Sequence, residues 1–368
     1  EHIAQRDQSS ISSSMFNDIA KVKNQLKPTQ TKGDELDIKQ LLDSEPCKEQ
    51  DQQTREYFFS SGVDKWYDNL DNRHTFRSQF IEIQPHEAEA IIEYWKQVTS
   101  RSSEVLVEIP SSLENLVRRI DDTIQVSFPF SHGVFVKLST RSPKDSNTIF
   151  RKATSAFYEK LNTLGNPAEL HYNDRMCLFS EEMVRASAVR NGTEAVTILL
   201  DSMRAAEDLM YAYEEGDIQH PLSLVIREWE PRITPRCEFR GFVWNKKLNC
   251  VGQYWHSLFF PGLEDEKNDI ADDCLAFFEQ IRESLPIPNA MLDLAWLGPG
   301  HVVLIEVNPL MEGLGSFKGS TGLFDYYEDE GVLTGKQPFE IRVRTEIETR
   351  ESIVSHMSMK WRSVIFGN

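Results

Sequence analysis

The sequence predicts an α+β protein on three observations. Helical and strand-like patterns are intermixed through the first two thirds instead of alternating regularly. Antiparallel hairpins cluster late, at Cys237–Trp255 and Leu292–Pro309. The phosphate-binding signatures of doubly wound folds are absent: there is no GxxxxGK[ST], and no GxGxxG with an acid at the right distance. With 368 residues, 40% of them hydrophobic and 10% aromatic, the chain can bury a sizeable core in one large domain or two lobes.

Residues 1–55 are rich in Gln, Ser, Lys and Asp and make a polar extension without a core of its own, with helical spacing near Met15–Leu26. Structure begins near Tyr57-Phe58-Phe59. Phe80-Ile81-Glu82-Ile83 reads as a strand, and Ala88, Ile91, Ile92 and Trp95 space a helix over Pro85–Val98. Ser112–Ile120 is a second amphipathic helix, Val134–Leu138 a strand and Ile149–Leu161 a helix. Asn191-Gly192 caps one long helix, Thr193–Tyr213. Strands follow at Ser223–Trp229, Cys237–Trp244 and Asn249–Trp255, with Asn245-Lys246-Lys247 turning the last pair. Ile270–Ser284 is a helix whose acidic first turn suits its dipole. The chain thus divides into the extension, an N-terminal lobe at 56–222 and a C-terminal lobe at 223–368.

A net charge of −18 argues against non-specific binding to nucleic acid or anionic membranes. The five cysteines form no CxxC pair, which reads as free thiols in a reducing compartment. No stretch reaches membrane-spanning length, and the polar start is no signal peptide. The expected location is the cytoplasm.

The run Leu292–Pro309 carries most of the chemistry. Two apolar strands are joined by Gly298-Pro299-Gly300, and folding about the Pro299–Gly300 bond sets Asp293 opposite Glu306. Asn308 lies two residues on, on the face of Glu306. Two carboxylates and an amide then converge in an oily hairpin, and like charges placed opposite each other need neutralising. A hard divalent cation does so; Mg²⁺ carrying a nucleotide phosphate suits oxygen ligands of this kind. The plain alternative is the solvated face of an edge hairpin. If the two acids repel, replacing either should slightly stabilise the ligand-free fold.

Three further segments would complete a nucleotide site. Lys137 sits late on an apolar strand that runs into a basic loop with Arg141 and Lys144, and a strand lysine among apolar neighbours wants an anion. The strand Leu224–Trp229 ends in Arg227, Glu228 and Trp229, where backbone could meet an adenine edge. Glu238 and Arg240 share a strand face, and the Arg240 fork could reach phosphate oxygens. The expected nucleotide contacts are therefore Lys137, Arg141, Lys144, Arg227, Glu228, Trp229, Glu238, Arg240, Asp293 and Asn308. The expected metal ligands are Asp293, Glu306 and Asn308.

In this order the segments resemble the ATP-grasp fold, and within it the cell division cycle protein 123 family. The resemblance is carried by Phe135–Ser139 with Ser142–Asp145, by Leu224–Trp229, Glu238–Val243 and Gly252–Tyr254, and by Leu304–Pro309 and Leu323–Glu328. It spans about residues 57 to 330 with gaps. It implies two lobes closing on ATP and Mg²⁺, with Lys137 on phosphate, Arg240 at the phosphate end and the late acids on metal. It also implies a factor that assembles heterotrimeric translation initiation factor 2 through its gamma subunit. The family usually carries Asp where this chain has Glu306, and Glu-x-Asn is the form of catalytic ATP-grasp enzymes. A glycine-rich loop, Met311–Ser320, follows it. The second reading is thus an ATP-dependent ligase, forming an acyl phosphate or joining RNA, with Lys137 and Arg240 catalytic and Lys137 a candidate nucleophile.

Overall fold

The computed structural model of the chain describes residues 55–367 other than 72, 100–107, 165–168, 215–216 and 311–321. The expected helix near Met15–Leu26 and the glycine-rich loop lie outside the described residues.

The first half contains α1 (Val63–Trp66), β1 (Ser78–Glu82), α2 (Pro85–Thr99), α3 (Glu114–Ser127), β2 (Val134–Leu138), α4 (Asn147–Thr163), α5 (Tyr172–Ala186), β3 (Ala188–Val189), α6 (Gly192–Leu200) and α7 (Met203–Ala212). A two-stranded ribbon, β4 (Tyr213–Glu214) with β5 (Asp217–Ile218), leads to β6 (Ser223–Glu228). These strands build an antiparallel sheet in the order β1-β6-β2-β3. The expected division at 222/223 falls just before β6, which is hydrogen-bonded between β1 and β2.

The second half contains β7 (Glu238–Trp244), β8 (Lys247–Gln253), α8 (Leu263–Ile281), β9 (Ala290–Trp296), β10 (Val302–Pro309), α9 (Glu330–Leu333), β11 (Glu340–Arg342), α10 (Arg350–His356) and α11 (Met359–Phe366). Its sheet runs β10-β9-β7-β8-β11, with β11 parallel to β8 and every other pair antiparallel. The β7–β8 turn places Asn245 and Lys246 at φ 51° and 58°, the primed hairpin geometry that matches strand twist. The α+β class expected from the sequence is the one observed.

Alternation sorts the four-stranded sheet into two faces. Val134, Val136 and Leu138 of β2 and Leu224 and Ile226 of β6 join a core with α2, α3, α6 and α7. Val225 belongs instead to a second core, built on the five-stranded sheet, α8 and the helices α4 and α5. Lys137 is paired in register with Val225, and Phe135 with Arg227, so Lys137 and Arg227 share the face turned toward the second core. The segment leading into β1 also meets β10 at Leu304. The Leu304 N–H donates to the His74 carbonyl (2.8 Å), and the Thr75 hydroxyl donates to the Leu304 carbonyl (2.9 Å).

The expected helix Thr193–Tyr213 is two helices, broken at Asp201-Ser202. The Asp201 carboxylate accepts from the Thr148 N–H and hydroxyl, both at 2.8 Å. Ser202 caps α7, accepting from the Ala205 N–H while donating to Asp145 at 2.6 Å. Polar side chains that find partners off the helix end it locally. At its start, Asn191 caps α6 as expected, accepting from the Glu194 N–H at 2.8 Å. Helix α8 begins at Leu263, earlier than expected, after Gly262 in the left-handed region (φ 79°). None of the four described cysteines is in a disulfide. Among the described residues, no helix is long and apolar enough to cross a membrane.

Candidate functional site: a buried charge cluster between the two sheets

The β9–β10 hairpin places Asp293 and Glu306 opposite each other in register. It does so through a β-bulge. Before it, Val302, Val303 and Leu304 pair with Trp296, Ala295 and Leu294; after it, Glu306, Val307 and Asn308 pair with Asp293, Leu292 and Met291. Ile305 is the extra residue, and the shift reverses which face β10 presents. Val302, Leu304 and Val307 therefore enter the core, while Glu306 and Asn308 take the Asp293 face.

Both acids already have cations. The Arg240 Nε donates to Asp293 Oδ1 (2.8 Å) and its Nη2 to Oδ2 (3.0 Å), a bidentate pair between in-register neighbours on β7 and β9. Asn308 Nδ2 donates to Asp293 Oδ2 at 3.2 Å. The Lys137 ammonium, from the other sheet, donates to Glu306 Oε1. All five side chains are buried. The expectation that removing an acid relieves repulsion is thus corrected: it would strand a buried cation.

Arg227 reaches the same junction. Its Nη1 donates to the Ile305 carbonyl (2.7 Å) and its Nε to Ser78 Oγ (3.3 Å), while its buried Nη2 has no hydrogen-bond partner. Burial draws Arg227 down to about 10, opposed by Glu306, so it stays a cation at neutral pH. Burial also lowers the Lys137 ammonium; Glu306 opposes this and Arg227 adds to it. For Arg240 burial disfavours the charge, yet Asp293 holds it above its ordinary value. Glu238, two residues before Arg240, is raised by burial, with Lys144 pulling the other way.

Tyr254, which no motif singled out as a site residue, sits at the rim. The Arg240 guanidinium lies 4.7 Å from its ring centre, Lys144 Nζ is also 4.7 Å from that centre, and Lys144 donates to its hydroxyl at 2.8 Å. The Trp255 indole N–H donates to Glu238 (3.2 Å). The forewarning is the Gly252–Tyr254 segment, which carries part of the family resemblance but reads as strand and not as site.

Three expected contacts go elsewhere. Arg141 is buried against α7, its Nε donating to Asp208 (2.7 Å) and its Nη2 to Glu207 and the Arg204 carbonyl (both 3.1 Å). It ties a loop to a helix and does not reach the cluster. Glu228 accepts from Arg77 (3.2 Å), and with Trp229 it lines a separate cleft of about 820 Å³. None of Lys137, Glu238, Arg240, Asp293, Glu306 or Asn308 lines that cleft.

The donor set fits a metal-bound polyphosphate. Asp293, Glu306 and Asn308 offer oxygens on one face, as Mg²⁺ requires. Lys137 and Arg240 offer donors to an anion, and the orphaned Arg227 Nη2 is a further buried donor. Among the described residues no three His, Cys, Asp or Glu side chains are grouped to hold a metal on their own, so the two carboxylates would share the ion with phosphate oxygens.

This mixed α+β fold, with its four-stranded and five-stranded sheets, is seen in solved structures. The structure of C-terminally truncated Cdc123 from Schizosaccharomyces pombe matches with a TM-score of 0.53 and 18% identity, over 79% of this chain and 98% of that one. Cdc123 from the same yeast matches with a TM-score of 0.51 and 17% identity, over the same shares. No curated protein sequence matches. Residues 185–360 match the family model described as D123. That stretch, just under half of the chain, is similar to the D123 family, the cell division cycle protein 123 family that the chain's motifs resemble.

Proposed function

We propose that the chain binds ATP with Mg²⁺ between its two sheets, in a two-lobed arrangement of ATP-grasp type. One observation carries this reading. Two buried carboxylates stand in register, each neutralised by a buried cation from a different strand. A bare anion would meet Asp293 and Glu306, and a bare cation would meet Lys137 and Arg240. A metal–polyphosphate brings both signs and can exchange with both pairs. When bound, Mg²⁺ would shield the phosphate charge; Asp293, Glu306 and Asn308 would hold it, and Lys137, Arg240 and Lys144 would hold the phosphates. Glu238, Glu228 and Trp229 remain proposed contacts, the last two only if the adenine reaches the C-terminal end of β6.

The D123 match supports the companion proposal, that this cytoplasmic protein assembles translation initiation factor 2 through its gamma subunit. Glu306, in place of the family's usual Asp, favours a second reading as an ATP-dependent ligase, with an acid or an RNA end as acceptor.

Isothermal titration calorimetry with ATP tests the first proposal. Binding is expected with Mg²⁺ or Mn²⁺ and lost in EDTA; equal affinity in both would move the site elsewhere. Pull-down of the gamma subunit without turnover supports the assembly reading. Mg²⁺-dependent covalent label from α-labelled ATP, lost in Lys137→Ala, would favour the ligase.

A further inference from the structure

Strand β10 changes phase at Ile305, and what holds that change comes from the other sheet. Strict alternation from Leu304 would send Ile305 and Val307 to the Asp293 face and put Glu306 and Asn308 into the core beside Leu304. The hydrophobic pattern therefore demands a bulge between Leu304 and Glu306, but a bulge leaves a residue without a ladder partner, here Ile305. A carbonyl there needs a donor from elsewhere. Arg227 Nη1 supplies it at 2.7 Å. Arg227 is itself fixed: it is 3% exposed, donates through Nε to Ser78 Oγ, and lies 5.4 Å from the Phe76 ring centre.

We propose that Arg227 is a positioning residue, which pins the bulge at Ile305 and thereby carries Glu306 opposite Asp293 and within reach of Lys137. It works through backbone from the sheet that also supplies Lys137, so one strand pair, β2 and β6, sets both the cation and the place of its carboxylate. Where Glu306 sits follows from this geometry alone; what Glu306 then does for a ligand rests on the nucleotide reading above. The competing role is a direct ligand contact through Nη2.

Hydrogen exchange on the full chain separates the two, comparing wild type with Arg227→Met and Arg227→Lys. In Arg227→Met, amides of residues 304–308 are expected to exchange about tenfold faster or more, as loss of a charge-assisted hydrogen bond implies, with β2 and β7 unchanged. Arg227→Lys, which keeps one donor, should fall between. In calorimetry, Mg·ATP affinity is expected to fall about tenfold or more in Arg227→Met. Unchanged exchange at 304–308 overturns the proposal, and if affinity still falls, Arg227 touches the ligand directly. An equal rise across β2 and β7 also overturns it, as general destabilisation. Faster exchange at 304–308 in a protein whose wild type binds no Mg·ATP upholds the positioning role and removes the nucleotide reading. If Arg227→Met does not fold, Arg227→Lys carries the same comparison.

Discussion

Glu306 faces Asp293 in register across β9 and β10, yet the two acids are neutralised by cations of different origin, Lys137 from the four-stranded sheet and Arg240 from β7. One pair lies within a sheet, and the other joins two sheets.

The joining pair should show strong coupling. Lys137→Met and Glu306→Leu should each destabilise the protein by about 3–5 kcal/mol, because each strands a buried charge. The double variant should recover most of that loss. Urea unfolding of the four proteins measures the coupling, and simple additivity would mean the pair contributes nothing specific.

Arg141 should behave as a structural residue. Arg141→Met leaves the buried Asp208 with the Thr140 hydroxyl but without its cation, and should cost about 3 kcal/mol by urea unfolding. Mg·ATP affinity of the folded variant should match wild type. A selective loss of affinity at unchanged stability would return Arg141 to the site.

Glu238 should make stability fall with rising pH. Burial raises its pKa above 4.5, so between that value and the raised one the folded state holds the proton more tightly than the unfolded state. Stability is then highest below 4.5 and declines as pH climbs through the folded value. Glu238→Gln keeps an oxygen for the Trp255 indole and removes the charge. It should flatten this decline and raise the melting temperature at pH 7. Melting curves from pH 4 to 8 that run parallel to wild type would refute this.

Gly192 should tolerate no side chain. A Cβ there would lie 2.1 Å from the Val117 carbonyl oxygen of α3, a backbone atom that cannot swing away. Gly192→Ala should cost about 1–3 kcal/mol or more, although alanine favours helices elsewhere. A neutral thermal melt would show that α3 and α6 can part cheaply.

Which parts of this were readable beforehand follows from what each part depends on. The convergence of Asp293, Glu306 and Asn308 was legible, since polar residues inside apolar strands must face a common partner and the turn centre fixed their pairing. The bulge was not: the pairing of Val302 with Trp296 is one residue out of step with that of Glu306 with Asp293, and only packing reveals the slip. Arg141 read as an anion ligand because its partner Asp208 lies 67 residues away, inside a segment read as unbroken helix. The break that frees that helix had a visible signal, Ser202 as a cap, but the Asp201 contacts that enforce it come from Thr148 in the first turn of α4. The self-neutralised state of the cluster was hidden for the same reason: Lys137 and Glu306 are 169 residues apart.

The two hydrogen bonds at Leu304 bear on how the chain comes together. The outward edge of β10 is closed there by His74 and Thr75, a segment made 229 residues earlier. During synthesis that early segment has no mate until residue 304 has left the ribosome, and β1 and β2 wait likewise for β6 to fill the gap between them. The four-stranded sheet is closed once β6 has emerged, whereas the five-stranded sheet is finished only with β11. A nick in the middle of the chain would part the second core from α4 and α5, which supply one side of it.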